Sequence, residues 1–219
     1  MIKVISFDIG GTLIEDNNDT FDKYNLKSLA KLVNLDYNNV RLVYKDIFQK
    51  TKGTFDELVD NFCNKLNIEK TDELIDFFNN KFNSNTSSIS TDKIEFIKFL
   101  KSLGYKIILF SNACCLNDNS LGNDLLYYID KVYYSFDLGY TKNDKESYRY
   151  IESDLNYNSK EFLHIGDTLK ADYFCPIENG WNALYYGKSD DSNIKSINSI
   201  NDIYDYLKKD IYLFDLKNN

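Results

Sequence analysis

The sequence is short of several residue types on which common functional sites depend. It has one histidine, His164, and one proline among 219 residues. A single histidine excludes a zinc helix of the H-E-x-x-H type and any metal site with two histidine ligands. The four cysteines form no C-x-x-C pair, which excludes a zinc ribbon and a thioredoxin-type motif.

Basic charge is also scarce, with 26 Lys and Arg against 34 Asp and Glu and a formal net charge of -8. Nucleic acids and anionic membranes are recognised through clustered basic residues, so neither is an expected partner. No apolar run approaches the length of a membrane span, and the apolar run at the start is too short for a signal peptide. We therefore expect a cytoplasmic protein.

Apolar residues follow two periodicities along the chain. Short runs rich in β-branched and aromatic residues predict buried strands. These strands are Ile2–Phe7, Tyr105–Phe110, Val132–Phe136, Phe162–Ile165 and Trp181–Tyr186. Helical spacing predicts four helices within residues 16–82 and further helices over residues 92–103, 121–129, 144–155, 169–178 and 200–207. The polar stretch Ser189–Ser199 is expected to be a surface loop.

The order of these elements predicts the fold class. Strands that alternate with helices of about ten residues form βαβ units around a parallel sheet. The prediction is an α/β protein with a doubly wound, Rossmann-like parallel sheet. Residues 1–14 and 91–219 would form this core, and residues 15–90 would form an inserted, all-helical domain, with the polar loop Asn83–Ser90 at its end.

Polar side chains follow four of the predicted strands. Asp8 follows the first, Ser111 and Asn112 follow the second, Lys142 lies after the third, and the fourth is followed by Asp167 and Asp172. Because functional groups gather at the carboxyl ends of parallel strands, these side chains should meet at one edge of the sheet. Carboxylates suit Mg²⁺, an aspartate can attack a phosphoryl group, and a lysine can neutralise the charge that develops.

Four segments in this order resemble the motifs of the haloacid dehalogenase-like (HAD) hydrolase superfamily. They are FDIGGTL at residues 7–13, LFSNA at 109–113, GYTKN at 139–143 and IGDTLKAD at 165–172. The resemblance covers nearly the whole chain, and it implies that the helical insertion is the four-helix cap of that family. It also implies a hydrolase of the phosphatase type with Mg²⁺ as cofactor and a small phosphorylated substrate.

The resemblance implies a role for each matched residue. Asp8 would be the nucleophile and a metal ligand, with Ser111 and Lys142 holding the phosphoryl group in the catalytic site. The other predicted metal ligands are Gly10 through its carbonyl, Asp167 and Asp172. The other predicted substrate-binding residues are Gly11, Thr12 and Asn112.

Gly10 departs from the family pattern. Phosphatases of this family carry a second aspartate at that position, as general acid and base, which contributes on the order of 10²–10⁴-fold to the rate. Three interpretations remain open: a phosphohydrolase with atypical or weak acid–base catalysis, a metal-independent dehalogenase-like hydrolase, and a catalytically impaired binding or regulatory protein. A stand-in acid from Glu15, Asp16 or Asp19 is a further possibility.

Two other groups near these motifs are interpreted as packing residues. His164 lies inside the fourth predicted strand, where we expect it to be buried with a backbone hydrogen-bond partner. Cys114 and Cys115 follow the second motif, where packing is the favoured role.

Overall fold

The computed structural model describes residues 1–14, 25–83, 89–117 and 121–208. The predicted domain boundary after residue 14, the acids Glu15, Asp16 and Asp19, and residues 84–88 of the predicted polar loop lie outside these ranges. Within the described residues no helix is long and apolar enough to cross a membrane.

A parallel sheet in the order β3-β2-β1-β4-β5-β6 forms the centre of the fold. Its strands are β1 (Val4–Phe7), β2 (Lys106–Ser111), β3 (Lys131–Tyr134), β4 (Phe162–Gly166), β5 (Asn182–Tyr186) and β6 (Ser196–Ile197). The chain runs from β1 to β2 and β3 on one side and then returns to β4 on the other side of β1, so the sheet is doubly wound about β1. The predicted fold class is confirmed.

Alternation along the strands divides the core between the two faces of the sheet. Ile5 and Phe7 of β1 belong to an apolar cluster on one face, with Leu109 and Ile165 of the adjacent strands. Val4 points to the other face and packs there with Phe110 and Phe162. The same alternation places Ser6 on the face of Val4.

Four helices within residues 26–83 share a core of their own. They are α1 (Leu26–Leu32), α2 (Tyr37–Phe48), α3 (Phe55–Leu66) and α4 (Asp72–Asn83). Phe48, Phe62 and Phe78 form the centre of this core, with ring centroids 4.8 to 5.6 Å apart. Thr54 and Glu57 form the capping box at the start of α3. We call these four helices the helical module.

The helices that follow the module flank the sheet. They are α5 (Thr91–Ser102), α6 (Asn123–Leu126), α7 (Ser135–Leu138), α8 (Lys145–Leu155) and α9 (Cys175–Glu178), with residues 202–208 also helical. A 3₁₀ turn at Ser159–Glu161 leads into β4. α5 and α8 confirm the predicted helices at residues 92–103 and 144–155.

Four predicted elements differ from the structure. The predicted helix over residues 121–129 is a single turn, because the chain must return to the sheet, where the Asp130 amide donates to the Ile107 carbonyl (2.8 Å). The third strand ends at Tyr134 rather than Phe136, since α7 begins there. Gly139 then ends α7 at a φ of +73°, which suits glycine.

The predicted helix over residues 169–178 is divided into a π-helix, Leu169–Phe174, and α9. Pro176 has no N–H to donate to the preceding turn, which favours this wider winding. The stretch Ser189–Ser199 is not entirely a surface loop. It contributes β6, which pairs with β5 and buries Ile197 in the core.

Candidate functional site

Asp8 is the first residue beyond β1 and lies at the carboxyl edge of the sheet. Its amide donates to the carbonyl of Ile165 on β4 (2.8 Å), so its position continues the strand register. The residue is 8% exposed. A buried carboxylate at a strand end is costly unless a group of opposite charge lies against it, and Lys142 provides that charge.

The first partner is Lys142, which is buried at 1% exposure. Its ammonium lies 2.5 Å from Asp8 Oδ1 and 2.6 Å from Asp172 Oδ1. Two backbone contacts fix the lysine: its amide donates to Asn112 Oδ1 (2.9 Å), and its carbonyl accepts from the Tyr148 hydroxyl (2.8 Å). One buried ammonium therefore joins two carboxylates that come from different strands.

Asp172 is held by the protein on both of its oxygens. Oδ1 accepts from Lys142 and lies 3.1 Å from His164 Nε2, and Oδ2 accepts from the Thr168 amide (2.9 Å). The carboxylate also packs on the backbone of Gly166, where an added Cβ would come within 2.4 Å of Asp172 Cγ. The carboxylate can therefore occupy this position only because residue 166 is glycine.

Asp167 approaches the loop after β1 in a similar way. Gly11 has a φ of +68°, and a Cβ built there would lie 2.1 Å from Asp167 Oδ2. The sequence therefore needs glycine at residue 11 for two reasons, a left-handed backbone and the close approach of a carboxylate.

Three carboxylates converge in this region. One oxygen from each of Asp8, Asp167 and Asp172 lies within 4.8 Å of the other two. With Lys142 the group carries three formal negative charges and one positive charge, and a bound divalent cation would neutralise the remainder. Oxygen ligands of this kind fit Mg²⁺, so the donor set present suits the predicted metal.

Burial and neighbouring charges separate the pKa values of these groups. Burial raises the pKa of Asp8 to about 6; Asp172 also raises it, and Lys142 opposes both. Burial would raise the pKa of Asp172 too, but Lys142 and His164 hold it well below its usual range. Burial would lower the pKa of Lys142, but Asp172 and Asp8 raise it. Asp172 and Lys142 thus form a firmly ionised pair, and Asp8 is the member of the three that takes up a proton most readily as the pH falls.

The other predicted site residues lie around the same edge. Ser111 ends β2 and is buried, and Thr12 is buried with no hydrogen-bond partner for its Oγ1 among the described residues. Gly10 is exposed. The structure brings the predicted residues to one edge, and their individual roles remain predictions.

His164 and Ser6 are the site neighbours that sequence reasoning missed. His164 was expected to have a backbone partner, and this was wrong: its two ring nitrogens contact the side chains of Ser6 and Asp172. The structure shows that Ser6 and His164 face each other across β1 and β4, a register that the sequence does not reveal. The signal available in the sequence was a serine and a histidine inside otherwise apolar strands, which indicates buried polar side chains that need partners.

The helical module contacts this edge through the loop between α2 and α3. Lys50 lies 3.1 Å from Asp144, whose carboxylate also accepts from the amide and hydroxyl of Thr141. Cys115 donates to the carbonyl of Gly53 (3.5 Å), and Cys114 is buried within the core of the module. Burial raises the pKa of Cys114 to about 12, which agrees with the packing role expected for it.

Comparison with known proteins agrees with this architecture. A family model described as haloacid dehalogenase-like hydrolase matches residues 2–173. The chain is 28% identical over 204 residues to a D-ribitol-5-phosphate phosphatase of Bacteroides thetaiotaomicron, covering 82% of this chain and 94% of that protein.

Solved structures resemble the whole fold. A predicted HAD-like family hydrolase from Porphyromonas gingivalis superposes with a TM-score of 0.64 at 22% identity, covering 94% of this chain and 98% of that one. HAD family enzyme bt-2542 from B. thetaiotaomicron, in complex with magnesium and inorganic phosphate, superposes with a TM-score of 0.60 at 20% identity, covering 88% and 98%. At these identities the likeness concerns the fold.

Proposed function

Because the chain belongs to the haloacid dehalogenase-like hydrolase family, we propose that it is a Mg²⁺-dependent phosphohydrolase acting on a small phosphorylated metabolite. One observation carries this proposal: Lys142 is buried between Asp8 and Asp172 at 2.5 and 2.6 Å. An ammonium in that position holds a nucleophilic carboxylate and leaves positive charge next to an incoming phosphoryl group.

The reaction proposed for this site has two steps. The Asp8 oxygen that Lys142 does not hold attacks phosphorus, the bond to the leaving oxygen breaks, and an aspartyl-phosphate forms. Water then attacks the phosphorus, the bond between phosphorus and the Asp8 oxygen breaks, and inorganic phosphate leaves. The leaving oxygen of the first step takes a proton from solvent, and the attacking water of the second step returns one. Lys142 and Ser111 hold the phosphoryl oxygens throughout, and Gly11, Thr12 and Asn112 shape the pocket around them.

The metal has its own proposed ligands. Asp8, Asp167, Asp172 and the carbonyl of Gly10 would hold Mg²⁺. When bound, it supplies charge stabilisation to the phosphoryl oxygens. The support is the convergence of three carboxylates within 4.8 Å. Asp172 already accepts from Lys142, His164 and Thr168, so we assign it a supporting position around the ion rather than a central one.

The helical module supports a proposed domain division, and the comparison with known proteins supports a proposed substrate class. We propose that residues 15–90 form a cap that closes over the phosphorylated substrate and excludes water, and that residues 1–14 and 91–219 form the core. The similarity to a D-ribitol-5-phosphate phosphatase makes phosphorylated sugar alcohols the first class to test.

Because residue 10 is glycine and offers no general acid, a second candidate function is that of a protein that binds Mg²⁺ and a phosphorylated ligand with little turnover. The two candidates differ most on substrates with a poor leaving group, because a general acid matters there and matters little for p-nitrophenolate. The deciding measurement is hydrolysis of p-nitrophenyl phosphate and of D-ribitol 5-phosphate with Mg²⁺, by the natural protein, Asp8→Asn and Gly10→Asp.

The phosphohydrolase proposal expects clear p-nitrophenyl phosphate turnover that Asp8→Asn and EDTA both abolish. Gly10→Asp should change that rate little and should raise the sugar-alcohol phosphate rate, by on the order of 10²-fold or more. Equal rates for the natural protein and Asp8→Asn on both substrates would favour the binding protein. Activity that survives EDTA would instead favour metal-independent, dehalogenase-like chemistry.

A further inference from the structure

His164 lies in the middle of β4 at a position where its neighbours are apolar. It is fully buried, as are Val4, Phe110 and Phe162 on the same face of the sheet. Its ring is in edge contact with Phe110, with centroids 6.0 Å apart. A histidine in such surroundings loses its hydration and must recover hydrogen bonds from the protein.

Both ring nitrogens of His164 make a hydrogen bond with a side chain of the protein. Nδ1 lies 2.8 Å from Ser6 Oγ, and Nε2 lies 3.1 Å from Asp172 Oδ1. Ser6 and His164 are direct register partners on neighbouring parallel strands, so the sheet itself sets the first contact. An ionised carboxylate can only accept, so the proton of the second contact lies on Nε2.

The hydrogen bond from His164 Nε2 reaches the candidate site through its acceptor atom. Asp172 Oδ1 is the same oxygen that accepts from the Lys142 ammonium (2.6 Å), and Lys142 also contacts Asp8 (2.5 Å). A continuous series of contacts therefore runs from Ser6 through His164, Asp172 and Lys142 to Asp8. Every member is 8% exposed or less, so water offers no substitute partner.

We propose that His164 is a positioning residue of the reaction. Held by Ser6, it fixes the Asp172 carboxylate in the orientation that keeps the Lys142 ammonium against Asp8. The kinetic consequence rests on the proposed phosphohydrolase function, whereas the hydrogen-bond arrangement does not. A histidine that served packing alone would be replaceable by an apolar side chain of similar size without effect on the site.

The arrangement is directly measurable because the chain contains a single histidine. Nitrogen-15 NMR of the imidazole should show a proton on Nε2. Asp172→Asn and Ser6→Ala should each shift the ring nitrogen resonances, and Ser102→Ala, at an exposed serine on α5, should not. An imidazole without a proton on Nε2, or resonances that neither site variant moves, would overturn the proposal.

The kinetic test compares two replacements at the same position. His164→Gln can place an amide N–H near the position of Nε2, and His164→Leu fills similar space without a donor. We expect His164→Leu to lower kcat about 10- to 100-fold with a smaller change in KM, and His164→Gln to recover most of that loss. Equal activity of His164→Leu and the natural protein would contradict the positioning role.

Two further variants keep the test decisive. If His164→Leu does not fold, Ser6→Ala, which removes one oxygen from the series, should still lower kcat in a protein that remains folded, although the loss of one buried hydrogen bond lowers its melting temperature. A Ser6→Ala protein with unchanged kcat would then overturn the proposal. If the natural protein is no faster than Asp8→Asn, the phosphohydrolase function fails, and the NMR result alone decides the His164 arrangement.

Discussion

Removing the charge of Asp8 should make the metal-free protein more stable at neutral pH. Burial raises the pKa of Asp8 to about 6 from an ordinary value of 3.8, with Asp172 adding to the effect and Lys142 opposing it. The ionised form is therefore disfavoured in the folded state despite its ion pair. Asn resembles the neutral acid in shape, so Asp8→Asn retains the packing and removes the unfavourable charge.

The magnitude follows from the pKa difference between the folded and unfolded states. Each unit corresponds to about 1.4 kcal/mol, so the difference amounts to about 3 kcal/mol when Asp8 is fully ionised. The folded protein binds the proton more tightly than the unfolded chain, so its stability falls as pH rises from about 4 to about 6. Asp8→Asn should consequently gain about 3 kcal/mol at pH 7.5 and almost nothing near pH 4.

The assay is urea unfolding followed by the fluorescence of Trp181, the chain's single tryptophan, which is buried. Measurements in EDTA at pH 7.5 and pH 4 give the two limits. Asp76→Asn, at an exposed carboxylate on α4, is the matched control and should change little at either pH. Mg²⁺ should stabilise the natural protein more than Asp8→Asn. A gain that is absent at pH 7.5, or that persists unchanged at pH 4, would refute the reasoning.

Two further variants test the geometry of the site. Gly11→Ala should weaken Mg²⁺ activation at least tenfold, because the added Cβ would displace Asp167. Gly104→Ala is the control: Gly104 also has a left-handed backbone but no neighbour within 4 Å, so this variant should lose stability only. Equal Mg²⁺ responses of the two variants would contradict the proposed clash with Asp167. Lys50→Met should lower kcat/KM at most about fivefold, because it removes the ion pair with Asp144. The difference in kcat/KM between this variant and the natural protein should shrink at high salt. A difference that does not change with salt would exclude the ion pair as its cause.

Strand ends were the most predictable part of this protein. Three buried strands, β1, β2 and β4, are short apolar runs that stop at or just before a polar residue, and parallel strands bring those residues to one edge. This is why Asp8, Ser111 and Asp167 could be placed together from the sequence. Lys142 was harder, since it follows a strand by eight residues, and its burial depends on the turn of α7 and on Asn112.

The predictions that were wrong concern positions where long-range contacts override the local pattern. β6 exists because Ile197 completes the core beside β5, within a polar stretch that shows no strand period. The histidine contact depends on the pairing of β1 with β4, which are more than 150 residues apart in the chain. Local spacing carries no information about that register, so the partner of His164 could not be inferred from its neighbours.

The effect of the missing carboxylate at residue 10 on catalysis depends on whether another group near Asp8 can donate a proton. Lys142 has a raised pKa and two carboxylate partners, so it does not readily give up a proton to a leaving oxygen. Asp172 has a lowered pKa and carries no proton to give. Of the described groups around Asp8, neither Lys142 nor Asp172 is suited to protonate the leaving oxygen. Aryl phosphates, whose leaving group needs little protonation, should therefore be hydrolysed faster than alkyl phosphates. Because Gly10 is exposed, Gly10→Asp tests the effect of a carboxylate at this position directly. The ratio of alkyl to aryl phosphate turnover in this variant, relative to the natural protein, measures the contribution of that carboxylate to catalysis.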